Sequence, residues 1–131
     1  MAIATANKNN GRQWPLVARQ VFTLAEMEDG VAVEAVDLPI GAIVLSGTMV
    51  ITEVFDSTTS DTIEVTGGGA PLGATNVQAT GLTDLVPTGV EQTLGDVVQL
   101  TWTSGGGTPA TGAGYLELMY IITSRANENQ P

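Results

Sequence analysis

Four carboxylates fall within a short stretch of the chain: Glu53, Asp56, Asp61 and Glu64. Oxygen ligands this close can hold Ca²⁺, but the order lacks the Asp-x-Asp-x-Asp-Gly alternation of a dedicated calcium loop. The competing reading is a solvated turn whose aspartates cap nearby backbone groups. A carboxylate pair can also hydrolyse glycosides, yet no aromatic sugar platform or carboxyl-raising pocket accompanies this one. Ser57, Ser60 and Ser104 have no base to activate them, because the chain contains no His and no Cys. Serine catalysis of the usual kind is thereby excluded. Gly67-Gly68-Gly69 and Gly105-Gly106-Gly107 lack the spacing and the lysine of a phosphate loop, and neither opens a helix. The expectation is a protein that is not an enzyme, with no cofactor and no metal site.

Charge narrows the partners. The net charge is −10, from 14 acids against 4 bases. Lys8, Arg12 and Arg19 lie in the first nineteen residues, which hold no acid, and Arg125 is the remaining base. So acidic a body repels phosphate backbones, which argues against nucleic acid. The basic N-terminal segment could lie on an acidic neighbour or be a solvated tail; both readings stand. Charged residues make up only 14% of the chain, so its surface is cheap to desolvate and suited to packing against other proteins. No stretch approaches the length of a membrane span. No signal peptide is visible either, so a soluble chain is expected, without a membrane partner.

The elements that would carry these residues read as strands. Residues 1–20 are polar and small, broken by Asn9-Asn10-Gly11 and limited by Pro15, and form an extended arm. Residues 16–26 suggest a strand with a bulge. Val31 to Ala35 alternate as a short strand. The longest strand runs over 42–55, with Ile43, Leu45, Met49, Ile51 and Phe55 on the expected core face. Gly47 on that face marks a bulge or a close backbone approach. Asp56 to Asp61 is read as a hairpin loop, with a strand returning at 62–65. Residues 67–75 read as a flexible loop, and Val77 to Leu82 and the stretch around Leu85 as weak strands. Val98, Leu100 and Trp102 alternate in a later strand, with Trp102 expected to pack in the core. A Gly-rich loop over 104–114 precedes a last strand at 115–123, with Leu116, Leu118, Tyr120 and Ile122 inward. Seven or eight strands with turns about every ten residues point to an all-β, two-sheet antiparallel β-sandwich, jelly-roll-like. Periodicity leaves the strand order open. The domain reading is an arm at 1–20, a sandwich at 21–124 and a polar tail at 125–131.

Several segments in order resemble small virion structural proteins of tailed bacteriophages. They are Leu38 to Gly47, Val54 to Val65, Leu82 to Gly89, Leu100 to Thr103, and Gly112 to Leu116 continuing through Ser124 to Glu128. The likeness covers roughly residues 37–128 and contains no catalytic motif. It implies a capsid decoration or cement protein on the capsid exterior of the virion, assembled in the host cytoplasm. Its partners would be the major capsid protein and other copies of itself, a trimer being favoured slightly over a dimer. The alternative is a head-fibre, neck or tail component with host-surface adhesion. The residues expected at protein interfaces are Lys8, Arg12, Trp14, Pro15, Arg19 and Arg125. Trp14 could anchor the arm on its own domain or in a neighbour's pocket.

Overall fold

A computed structural model describes residues 14–67 and 70–123. Eight strands form: β1 (Leu16–Thr23), β2 (Ala32–Leu38), β3 (Ala42–Glu53), β4 (Asp61–Gly67), β5 (Ala70–Asn76), β6 (Gly81–Leu85), β7 (Asp96–Ser104) and β8 (Ala113–Ile122), with one 3-10 turn at Leu24–Glu26. One sheet has the order β1-β8-β3-β6 and the other β2-β7-β4-β5. Every pairing is antiparallel. β1 pairs with β8, β2 with β7, β3 with β6 and β4 with β5. The chain is thus one long double strand with its tip at β4–β5, wrapped so that successive strand pairs alternate between two facing sheets. That is the jelly-roll arrangement.

The core lies between the sheets. Phe22, Met49, Ile51, Phe55, Leu116 and Leu118 meet Val36, Leu38, Ile63, Val65, Val98, Leu100 and Trp102 there. Trp102 is buried, as its alternation with Val98 and Leu100 implies. Its ring lies 5.9 Å from that of Phe55 at an interplanar angle of 47°, within the centroid range of favourable aromatic pairs. Gly114 lets β3 and β8 close up: a Cβ at that position would sit 2.4 Å from the Val50 carbonyl oxygen.

Several expectations change. The ladder between β3 and β8 shifts register between Val44 and Ser46. A bulged residue reverses which side chains face inward. Ala42 and Val44 are therefore buried, Ile43 is half-buried and Leu45 exposed, while Met49 and Ile51 point into the core as expected. Gly47 sits just past the bulge, and a Cβ there would lie 2.7 Å from Leu118 Cδ2, so the close approach is also present. The carboxylate-rich stretch after β3 is not a hairpin loop. β3 and β4 belong to different sheets, and residues 54–60 cross between them. Most of 67–75 is strand β5 rather than loop. Val77 lies in the turn before β6. β1 runs without a register shift, so the bulge expected there is absent. Residues 16–20, assigned to the arm by composition, are the first part of β1. Tyr120 is half-buried rather than central to the core.

Candidate interaction surfaces

Two of the four suspected carboxylates, Asp61 and Asp56, are occupied by the fold. Asp61 is fully buried. Its Oδ1 accepts the Trp102 indole N–H at 2.9 Å. Its Oδ2 accepts the Ser57 backbone N–H at 3.2 Å and the Ser57 hydroxyl. Gln78 Nε2 donates to the Ser57 carbonyl at 3.1 Å, tying the next turn to the same crossover. A buried carboxylate with its lone pairs taken up in this way is a structural staple. Asp56 is exposed and its Oδ1 accepts the backbone N–H groups of Thr111 at 3.0 Å and Ala110 at 2.7 Å. Those two donors, Thr111 first, hold its carboxyl below the usual range. Glu64 lies on the outer face of its sheet and Glu53 at the end of β3, both exposed. Among the described residues no three acidic side chains converge on a point where an ion could sit.

The outward face of the first sheet has a different composition from that of the second. Across β1, β8, β3 and β6, three rows of cross-strand neighbours can be read from the registers. Arg19, Glu117, Thr48 and Asp84 make the middle row. Val21, Tyr115, Val50 and Leu82 make the row on one side. Val17, Met119 and Ser46 make the row on the other. Val17 and Val21 are each 56% exposed, and Leu82 and Met119 are exposed too. The Arg19 guanidinium lies 3.8 Å from the centroid of the Tyr115 ring, a stacking that holds the cation flat on the face. On the second sheet the outward rows are Glu34, Gln99 and Thr66, then Ala32, Thr101, Glu64 and Ala74, then Thr103, Thr62 and Asn76. Those three rows carry nothing large and apolar, and the outward pair beyond them is Asp37 with the half-buried Val97. The first sheet is thus the one equipped to be covered.

The two ends of the sandwich differ as well. At one end, loops 24–31, 54–60 and 104–112 are polar and laced together. Thr58 N–H donates to the Gly106 carbonyl, Gly105 N–H to Ser60, Gly30 N–H to Trp102 and Ser104 N–H to Asp29 Oδ1. The other end holds the start of β1 and the end of β8, so both termini of the described body emerge there. It also displays Ile40 at 68%, Val86 at 75%, Leu94 at 90% and Trp14 at 82% exposure. Ile40 and Leu94 flank an open groove with Asp37 and Asp96 on its walls.

Of the residues expected at interfaces, Trp14 and Pro15 are exposed at this apolar end, and Arg19 is on the sheet face. Lys8, Arg12 and Arg125 lie outside the described residues. Sequence reading missed Val17, Val21, Leu82, Met119, Ile40 and Leu94. The usable signal was in the last strand, where Tyr115, Met119 and Ile121 are apolar on one parity while Leu116, Leu118 and Ile122 are apolar on the other. A strand apolar on both parities puts apolar side chains on the outer face of its sheet as well as in the core.

No protein-family model matches the chain, and no curated protein does. Solved structures do share the fold. A chain in the acid-stable capsid of Helicobacter pylori bacteriophage KHP30 superposes with a TM-score of 0.64 at 14% identity, over 87% of this chain and 92% of that one. A chain of the cyanophage Pam1 capsid gives 0.62 at 18% identity, over 93% of each. A chain of the Ralstonia phage GP4 capsid gives 0.60 at 18% identity, over 92% and 91%. These chains and this one are single jelly rolls of nearly equal length.

Proposed function

We propose that this chain is a structural protein of a tailed-phage virion, a decoration or cement protein bound to the outside of the head shell. The observation that carries the reading is the end-to-end match of the whole fold to chains from three phage capsids, with no large part of either chain left over. The surfaces support it. No His or Cys is present in the sequence, and of the four clustered carboxylates Asp61 and Asp56 are engaged as staples. Large apolar side chains are instead displayed at one end and on one sheet face. A cement protein works by adding contact area at capsomer joints, and repetition over a symmetric lattice multiplies a modest single contact. The apolar end is the shell-facing surface: Ile40 and Leu94 enter the contact, and Trp14 with Pro15 fill an apolar notch. Arg12 would meet carboxylates on the shell, with Lys8 and Arg125 in the same interface, and Arg19, on the sheet face, would meet a carboxylate of another copy. Assembly takes place in the host cytoplasm. The alternative is a head-fibre, neck or tail part with host-surface adhesion. It calls for aromatic residues at loop tips, and loop 104–112 has none.

The test is add-back to heads that lack the protein. The wild-type chain should bind saturably and raise the temperature at which heads open. The double substitution Ile40→Asp, Leu94→Asp alters two exposed positions, so the fold should survive while binding falls at least about tenfold, as for loss of interface anchors. Unchanged binding by that variant would remove the apolar end from the interface. No binding by the wild type would remove the shell.

A further inference from the structure

We infer that the outer face of the β1-β8-β3-β6 sheet is a homodimer surface. A second copy stacks on it about a two-fold axis running parallel to the strands. The inference concerns the isolated chain and holds or fails independently of shell binding.

The reason lies in the order of residues across the sheet. The middle row runs from a base at one edge to an acid at the other: Arg19 on β1, Glu117 on β8, Thr48 on β3, Asp84 on β6. Arg19 is the one basic residue among the described residues, which carry all of the chain's acids except Glu128. Two copies of so acidic a body repel each other over most orientations. A two-fold axis along the strands reverses the strand order between the stacked faces. It therefore places Arg19 over Asp84 of the second copy, and Glu117 over the neutral Thr48. The adjoining row obeys the same operation: Val21 falls over Leu82, and Tyr115 over Val50. An in-plane axis perpendicular to the strands would instead stack Arg19 on Arg19 and Glu117 on Glu117. The charge row thus selects one operator, and the row of Val21, Tyr115, Val50 and Leu82 is self-complementary under it. The twist of each sheet makes the strands cross at roughly 30° rather than run parallel, as in other stacked sheets.

The area sets the strength. β1, β8 and β3 with about seven residues each and β6 with its five, at about 3.3 Å rise and about 4.8 Å spacing, cover about 400 Å² per copy. A total of about 800 Å² lies below the range of stable specific interfaces, so a weak, transient dimer on the order of 100 μM is expected.

Sedimentation velocity over about 1 μM to 1 mM full-length chain reads this constant directly, across the range such a contact requires. Arg19→Glu alone and Asp84→Lys alone should each weaken the dimer at least about tenfold, by creating like-charge contacts. The double exchange Arg19→Glu, Asp84→Lys restores an acid–base pair across the axis and should return the constant to within about threefold of wild type. Val21→Lys, at an exposed position of the apolar row, should also dissociate it. Far-UV circular dichroism checks that each variant keeps its strands. A chain that stays monomeric to the top concentration overturns the inference. So does a dimer indifferent to both single substitutions, or one that the double exchange fails to rescue.

Discussion

Asp61 accepts from Trp102 and twice from Ser57 in a site closed to water. Asp61→Asn turns one of its acceptor oxygens into an N–H₂ facing a donor. The expected cost is about 1–3 kcal/mol, the usual penalty for an unmatched buried group. At about 3–5 °C per kcal/mol for a chain of this size, a thermal melt resolves it. Thr75 presents the opposite case. It is buried with its hydroxyl unpartnered, so Thr75→Val should raise the melting temperature by a few degrees, or about 1 kcal/mol. Asp56 supplies the pH dependence. Its carboxyl is lowered by the Thr111 and Ala110 N–H groups, so its contribution is present above the ordinary carboxylate range and lost as pH falls through the lowered value. Asp56→Asn should therefore flatten the acid side of the stability profile and leave the profile's slope at neutral pH unchanged. The sequence showed the carboxylates but not their partners, because Trp102 and residues 110–111 are distant along the chain and adjacent only after the sheets close.

Strand β3 shows how far alternation carries and where it stops. Met49 and Ile51 were legible as core because a period of two holds from Gly47 to Ile51, while the ladder shifts again before Glu53 and Phe55 is buried in the crossover beyond it. One bulged residue upstream then reverses the pattern, so Val44 is buried and Leu45 exposed. Gly47 marked the neighbourhood of the bulge, but not that the pattern upstream of it would reverse. β5 was missed for a different reason. Pro71 and Gly73 are poor strand formers, yet β5 is an edge strand paired only to β4, where missing ladder bonds are tolerated. The packing of β3 on β8 is testable at Gly114. A Cβ there would meet the Val50 carbonyl oxygen at 2.4 Å and Phe22 Cζ at 2.9 Å. Gly114→Ala should force the two strands apart and cost about 2–3 kcal/mol, read as a shift in denaturant midpoint with unchanged slope.

At the scale of the molecule, turn signals and alternation were enough for an all-β sandwich, while the wrapping order came only from the three-dimensional pairing. β1 and β8 must find each other across nearly the whole chain. Folding should accordingly be slow, in milliseconds to seconds, with stopped-flow fluorescence of Trp102 as the readout. Charge and apolar surface are also organised at this scale. One end is polar and cross-linked by loop hydrogen bonds, the other is apolar and emits both termini, and one sheet face carries exposed apolar side chains beside its charge row. The role proposed for this molecule is to add contacts in a shell lattice. The most direct measurement is the number of copies per purified phage particle, by quantitative gel or cryo-electron microscopy of the head. A shell protein is expected at hundreds of copies in lattice register, from icosahedral symmetry. About a dozen or fewer at one vertex or on the tail, or none on the particle, would contradict the shell role.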